Sequence, residues 1–254
     1  MSTLQLRSKL KASGLHLACS ALLAGVAAIL VFGVWYRAPY GQLSGATDLF
    51  LLMVGVDIAL GPLATFVVFS TTKARKKLVF DLVIIASVQL AALGYGVWTV
   101  YVARPVHMVF EYDRMRVVHA VEIPEEFLNK TPQGIDALPF WGPTLLGLRP
   151  FKNNDEQTSA NWAAINGISL SSRPELWMAY DQAVPAVLKA AKPVTQLIAK
   201  HPLFADQVQR TLSEAKHGVN DTVYLPLASR ANFGTVLMDA STAQPFAVLP
   251  LDSF

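Results

Sequence analysis

The residues that could do chemistry in this chain are few, and the costliest of them stand inside apolar runs. Asp57 and Asp81 each interrupt such a run, and Gln89 follows Asp81 in the same one. An ionised carboxylate at the centre of a membrane helix costs about 3 kcal/mol on insertion scales. Each acid therefore marks either a bond that locks the protein's own helices together or a polar contact offered to another membrane helix. Gly61-Pro62 stands one turn after Asp57, where the missing proline N–H and the ring's clash with the preceding turn predict a kink. Gly94 and Gly96 leave a bare patch that a second helix backbone could approach, although each could equally serve the protein's own bundle. Ion or proton transport is a poor fit, because three helices make a thin wall and no inverted repeat is visible.

Outside these runs the chemistry thins further. Cys19 is the only cysteine, so disulfide exchange, covalent haem and cysteine-ligated zinc drop out together. His107 and His119 fall in β-rich runs and His201 precedes Pro202. No G-x-S-x-G, H-E-x-x-H or P-loop pattern is present. No catalytic residue, cofactor or metal site is expected.

The elements that carry the two acids are membrane spans. Hydrophobic residues make up 53 % of the 254 and charged residues only 15 %, against about 25 % charged in an average soluble domain. The excess is concentrated before Arg104, in runs at 15–35, 49–70 and 78–101, each long enough for a hydrocarbon core of about 30 Å. A cleaved signal peptide is the rival for the first run. That run exceeds the usual apolar core, and bulky Val34-Trp35-Tyr36-Arg37 stand where small residues would mark cleavage. The formal charge of +3 does not indicate nucleic acid, because seven basic residues sit in two clusters flanking the spans, Arg7/Lys9/Lys11 and Lys73/Arg75/Lys76/Lys77. By the positive-inside rule 1–14 and the basic loop 71–77 are cytoplasmic, 36–48 is a periplasmic loop, and 102–254 lies outside as a periplasmic domain. Trp35, Tyr36 and Tyr40 after the first span, with Tyr95, Trp98 and Tyr101 closing the third, form an aromatic belt at that outer interface.

Depth suggests pairings. Asp57 is 13 residues from Ser70 and Gln89 is 11 from Leu78, about 20 and 16 Å at 1.5 Å per residue. In a helical hairpin the two could share a hydrogen bond. Asp81 is only about 5 Å inside, within reach of Lys76 and Lys77.

From Pro105 the pattern changes to α+β. Runs 106–110 and 115–121 read as a hairpin turning at 111–114. Residues 131–152, with four prolines, read as an ordered loop, and 153–159 as exposed polar chain. Helices follow at 174–191, broken or kinked by Pro185, and at 203–217 with Gly218 as C-cap. Strands at 222–226, 234–239 and 245–249 close the chain, giving a small antiparallel sheet from both ends of the domain with helices inserted between them.

Three stretches together resemble a known family. The run V-D-I-A-L-G-P-L-A-T at 56–65, the K-A-R-K-K loop with F-D-L-V-I-I-A-S-V-Q-L-A-A-L-G-Y-G at 80–96, and A-R-P-V at 103–106 with V-F-E-Y-D-R at 109–114 are similar to type IV pilin accessory proteins of the TfpX/TfpZ type. Tyr224-Leu225-Pro226-Leu227 and the segment 236–240 again look similar, whereas about 123–220 does not match residue by residue. Met115 stands where phenylalanine is expected, an apolar exchange. The resemblance implies a non-enzymatic inner-membrane protein that helps a type IV pilin to be stabilised, presented or assembled, with the pilin, the assembly machinery and the lipid bilayer as partners. Its candidate partner-binding residues are Asp57, Gly61, Pro62, Asp81, Gln89, Gly94 and Gly96. The chain is not itself expected to be a pilin, since Ala18 and Cys19 occupy the region where a pilin's glutamate is required and two further spans follow. In a sharper version Asp81 meets the amine of a processed pilin at the cytoplasmic interface. The rival reading is a membrane-tethered ligand-binding or sensory module acting through a partner, because a strand pair flanking helices can form a small-molecule pocket.

Overall fold

A computed structural model describes residues 3–254, and the chain divides into two compact units. The first unit comprises residues up to Arg37 and Ala46–Val102. Helix α1 spans Thr3–Leu30 and runs on through a π-helical turn, Val31–Trp35. Two short stretches away in sequence, α2 covers Tyr40–Leu43, α3 Ala46–Val68 and α4 Arg75–Val102. Thr3–Trp35, Ala46–Val68 and Arg75–Val102 are long and apolar enough to cross a membrane, and the protein is membrane-anchored. Their apolar residues go all round, as expected where lipid rather than water is the solvent. Helices α1, α3 and α4 meet in a cluster built on Val31, Trp35, Tyr36, Phe50 and Val100. Trp35 packs on Tyr101 with ring centroids 5.0 Å apart, and the Tyr36 hydroxyl donates to the Val100 carbonyl at 3.1 Å.

The second unit joins Ala103–Phe254 with Ala38–Gly45. Its strands are β1 Pro105–Glu111, β2 Arg114–His119, β3 Thr144–Leu148, β4 Trp177–Ala179, β5 Lys192–Pro193, β6 Thr222–Ala228, β7 Phe233–Asp239 and β8 Pro245–Leu249. Its further helices are α5 Glu125–Leu128, α6 Asn154–Ile165, α7 Tyr180–Ala190, α8 Val194–Lys200 and α9 Ala205–Glu214. The sheet order is β4-β3-β1-β2-β6-β7-β8, with β5 also pairing β6.

The α+β architecture agrees with the sequence reading, but the sheet is larger than the small antiparallel one expected, and it is mixed. β1 pairs β3 in parallel and β2 pairs β6 in parallel, at Met115↔Leu227 and Arg116↔Ala228. The reason is the connections: a chain that leaves the sheet through a long Pro-rich or helical segment can return on either heading, whereas a tight turn enforces an antiparallel pair. β3 lies hidden in the segment read as a loop. Residues 153–159 are exposed as expected, apart from half-buried Glu156, but they fold into the start of α6, capped by the Asn153 side chain accepting from Glu156 N–H. α7 runs through Pro185 without a break, but it begins at Tyr180 and not at 174, because 174–176 forms a 3-10 turn and 177–179 the strand β4. α9 ends earlier than expected, with Ala215 as C-cap and Lys216 in the left-handed region at φ 58°, so Gly218 is not the cap.

Alternation along the strands divides the core by face. Met108, Phe110, Met115, Val117, Leu225, Leu227, Val236 and Met238 point to one side, where Ala183 and Val187 of α7 cover them. Gly147 permits that approach: a Cβ there would collide with the Ala183 methyl. On the other side Val109, Val118, Leu148 and Trp177 form a second cluster, and Leu237 and Tyr224 meet α8 and α9 in a third. Burial on both faces explains why β1 is apolar at successive positions, Met108-Val109-Phe110, with the buried His107 bonded on both ring nitrogens.

Leu43 of α2 is fully buried in the first of these clusters. Its carbonyl accepts from the Ala231 and Asn232 N–H groups at 3.2 and 3.0 Å, and Asn232 Nδ2 donates to the Gln42 carbonyl at 2.8 Å. The 38–45 segment is therefore a structural member of the C-terminal domain, not merely a link between two spans.

Candidate partner-binding site

Within the helical unit the polar residues are brought together in pairs. Gln89 of α4 donates from Nε2 to Asp57 of α3 twice, to the carboxylate Oδ1 at 3.1 Å and to the backbone carbonyl at 3.0 Å. Gln89 reaches this position because Gly61 is bare: a Cβ on Gly61 would collide with the Gln89 amide. Pro62 is buried beside it, and α3 continues unbroken through the pair. The Ser13 hydroxyl of α1 donates to the Pro62 carbonyl at 2.8 Å, and His16 Nδ1 lies 2.5 Å from Thr65 Oγ1. Gly96 likewise serves an internal contact, since a Cβ there would run into the Met53 sulfur. Gly94 differs, with nothing within 4 Å of the position a Cβ would take.

Asp81 is held by Lys73, at 2.9 Å, and not by the expected Lys76 or Lys77. The reason is the turn between the helices: Lys73 also donates to the Val68 carbonyl at the end of α3, at 3.0 Å, which carries its side chain back across α4. Lys76 and Lys77 lie on the first turn of α4 itself and are exposed.

The Asp57–Gln89 pair is not closed off. A cavity of about 130 Å³ is lined by His16, Cys19 and Ser20 of α1, Asp57, and Ala86 and Gln89 of α4. Gln89 Oε1 is buried and has no hydrogen-bond partner among the described residues. Lipid supplies no donor, so an orphaned acceptor and a carboxylate in one recess form a place where a donor from another chain gains a full hydrogen bond. Hydroxyl, amide and protonated acid side chains fit that description.

The C-terminal domain contains a second polar constellation that sequence reasoning missed. Ser44 Oγ lies 2.7 Å from His119 Nε2, and His119 Nδ1 lies 3.5 Å from Glu122 Oε2. Glu122 also accepts from the His119 backbone N–H at 3.1 Å. Burial alone would raise the Glu122 pKa, but the bond and charge of His119 outweigh it and hold the carboxyl below its ordinary value. The order serine–histidine–glutamate is that of a nucleophilic triad. Here His119 is 0 % and Ser44 9 % exposed, so the serine–histidine contact is closed to a substrate although Glu122 reaches the surface, and it fastens the 38–45 segment to β2. Only the fold brings Ser44 and His119 together across 75 residues, and no local motif marks them.

His107 is similarly sealed. Its Nε2 donates to the Ala137 carbonyl at 3.1 Å, so Nδ1 accepts from Thr144 at 2.7 Å. Burial pushes its pKa down to about 4, against the opposing pull of the Ala137 bond and Asp136. Arg104, 4 % exposed, donates to the Leu138 and Pro139 carbonyls. These bonds are what order the Pro-rich segment.

Fold and site together define a membrane-anchored protein that couples a three-helix bundle, holding an incompletely satisfied polar pair, to a mixed-sheet domain. Comparison with known sequences is consistent along nearly the whole length. Fimbrial assembly proteins of Dichelobacter nodosus, of serogroups I and E1, are each 33 % identical over 248 residues, which is 96 % of this chain and 95 % of the relative. A third, of serogroups C1 and C2, is 39 % identical over 123 residues, 48 % of this chain and 92 % of the relative. A family model described as "Fimbrial assembly protein FimB" matches residues 4–45. The chain belongs to this family of fimbrial assembly proteins. No solved structure matches it.

Proposed function

We propose that this chain is a non-enzymatic inner-membrane accessory protein of type IV pilus assembly, of the TfpX/TfpZ type, that engages a pilus subunit through its membrane helices. The observation that carries the reading is the Asp57–Gln89 pair, which lines a recess between α1, α3 and α4 and whose buried Gln89 Oε1 has no hydrogen-bond partner among the described residues. A subunit with an apolar membrane helix and one donor side chain at that depth fits the recess. Family membership supports the assembly role, and the basic clusters at 7–11 and 73–77 support a cytoplasmic N-terminus with the C-terminal domain in the periplasm. Gly94 extends the open face of α4. Gly61, Pro62 and Gly96 act indirectly, by setting the helix packing that presents Asp57 and Gln89. Asp81 is engaged by Lys73, so a pilin amine would have to displace that lysine, and an Asp81→Asn variant that leaves piliation unchanged removes the residue from the site.

A membrane-tethered ligand-binding module is the second reading, favoured by clefts of about 540 and 730 Å³ in the C-terminal domain. Deleting the gene in its host and measuring membrane pilin beside surface pili separates the two. Loss of surface pili, restored by complementation, supports the accessory role, and a parallel fall in total pilin assigns it to stabilisation. Normal values for both contradict it.

A further inference from the structure

The chain leaves the C-terminal unit for a membrane span at Gly45 and returns to it from another at Ala103. Beside these two points the chain is fastened to consecutive residues of the domain. Ser44 Oγ lies 2.7 Å from His119 Nε2, and the Ala120 N–H donates to the Arg104 carbonyl at 2.9 Å. Both exits therefore share one end of the sheet, where β1 begins and β2 finishes.

Exposed apolar side chains gather round this end. Val121 follows Ala120 directly and is exposed. The Arg104 guanidinium holds the Leu138 and Pro139 carbonyls. Pro139 is buried, whereas Leu138, Phe140 and Trp141 on either side of it stand exposed, the last two at 46 and 59 %. The Phe140 and Trp141 rings meet edge to face, with centroids 5.4 Å apart. The backbone beneath them is fixed: a Cβ on Gly142 would lie 3.0 Å from the Pro105 and Val106 carbonyl oxygens. At the other exit, Ala231 and Asn232 donate to the Leu43 carbonyl, and exposed Phe233 comes next. Aromatic side chains ordered in this way are costly in water and favoured at a membrane–water interface.

Chain length limits how far they lie from lipid. Arg104 stands two residues beyond Val102, where its span ends, and Leu43 three before Ala46, where the next begins. At no more than about 3.6 Å per residue, these anchors are within about 7 and 11 Å of the span ends. The polar zone of a bilayer adds about 5–8 Å per leaflet to the hydrocarbon core. The β1–β2 turn lies a strand's length from the exits, about 20 Å, and there Glu111, Asp113 and Arg114 replace the apolar groups.

We propose that this end of the domain docks on the leaflet into which its chain passes, with Val121, Leu138, Phe140, Trp141 and Phe233 seated between headgroups and acyl chains. The tether makes the contact intramolecular, so a small apolar patch suffices to hold it. Charge contributes little, because Asp136 beside the 138–141 tip and Arg230 beside Phe233 are of opposite sign. Neutral phospholipid is a sufficient partner. Docking fixes the orientation of the domain and turns its charged 111–114 end to the aqueous side. The inference requires the spans alone; neither the pilus role nor the compartment enters it.

Nitroxide labels test it on the full-length chain in neutral phosphatidylcholine nanodiscs. They are attached at Trp141→Cys, at Phe233→Cys and, for the far end, at Asp113→Cys, each in a Cys19→Ser background. Collisions with oxygen, which concentrates among acyl chains, are compared with collisions with a water-soluble nickel chelate. Oxygen is expected to dominate at 141 and 233 and the chelate at 113, unchanged by high salt. Chelate access at 141 equal to that at 113 overturns the proposal. So does protection of 141 from both reagents, which assigns the rings to a protein contact, and so does an oxygen signal that requires anionic lipid or is lost in high salt. A second measurement keeps an aromatic ring at 141. Quenching of tryptophan emission by lipids brominated near the headgroup is expected to weaken in Trp141→Phe, and equal or stronger quenching there overturns the proposal.

Discussion

The helical unit and the C-terminal domain place their polar groups in different surroundings, one among lipid-facing helices and the other around a packed sheet. In the domain several buried polar side chains have built partners: His107 bonds on both ring nitrogens, Arg104 holds two carbonyls, and the Tyr180 hydroxyl donates to the Ala243 carbonyl at 2.6 Å, while Arg116 Nε, Glu175 Oε2 and Ser229 Oγ are buried there without a hydrogen-bond partner among the described residues. In the helical unit Asp57 and Gln89 bond each other beside a recess that both line, and Gln89 Oε1 is buried without a partner among the described residues. The apolar surface divides the same way. Strand β1 is buried on both faces and β6 and β7 nearly so, while the most apolar stretch of α4 is 0 % buried. A domain in water must complete its own core. Helices in lipid need not, and what they leave open is available to another helix. Under the proposed function the domain core carries the stability and the helical recess the contact with a partner, and each of the following experiments probes that division.

The largest effect is expected at Leu43. Leu43→Ala removes a fully buried side chain from the main cluster and should cost about 2–5 kcal/mol. Thermal unfolding of the purified full-length chain checks it, and a negligible shift would mean that the 38–45 segment is not part of the domain core.

Next comes His107. Its pKa of about 4 in the folded protein lies below the unfolded value of 6.5, so the unfolded chain takes up the proton first. Its contribution is complete above about pH 6.5 and is lost as pH falls through 4, amounting to about 3 kcal/mol at the acid end. Denaturant unfolding at pH 7.5 and 4.5 should show this loss in the parent, and less of it in His107→Gln, whatever constant cost that substitution carries.

Gln89→Leu should cost the helical unit only about 1 kcal/mol, because membrane hydrogen bonds average less than their isolated strength. The same change should nevertheless eliminate pilus-subunit contact. An effect on thermal stability matching Leu43→Ala would erase the distinction between the regions. The smallest effect is expected for Lys73→Met, since the Lys73–Asp81 pair is partly solvent-accessible, with side chains 32 and 24 % exposed. Its loss should shift stability by about 0–1 kcal/mol, measured by unfolding at low and high salt.

The helical unit was the more legible in the sequence because lipid imposes one rule on every residue of a span. Apolar runs marked the three helices, and the matched depths of Asp57 and Gln89 anticipated their hydrogen bond. Lys73 was misassigned in favour of Lys76 and Lys77 because the shape of a turn, not distance along the sequence, decides which cation reaches Asp81. In the domain, the hairpins β1–β2 and β7–β8 were readable from alternation and turn residues. β3 was not, because its five residues stand among prolines and are ordered by distant bonds from Arg104 and His107. Pro185 in α7 was misleading for a related reason: burial of Ala183 and Val187 on either side against the sheet outweighs one lost N–H bond. Ser44, His119 and Glu122 carry no local signal at all.

The most direct test of the central claim uses the chain's one cysteine, which lines the recess beside Asp57 and Gln89. A photo-crosslinker attached to Cys19 of the full-length protein in host membranes should capture the pilus subunit by its membrane helix. The yield should collapse in Gln89→Leu while the folded C-terminal domain survives. Capture that is indifferent to Gln89, or no capture of the subunit in membranes that hold both proteins, would contradict the assignment of this recess to pilus-subunit recognition.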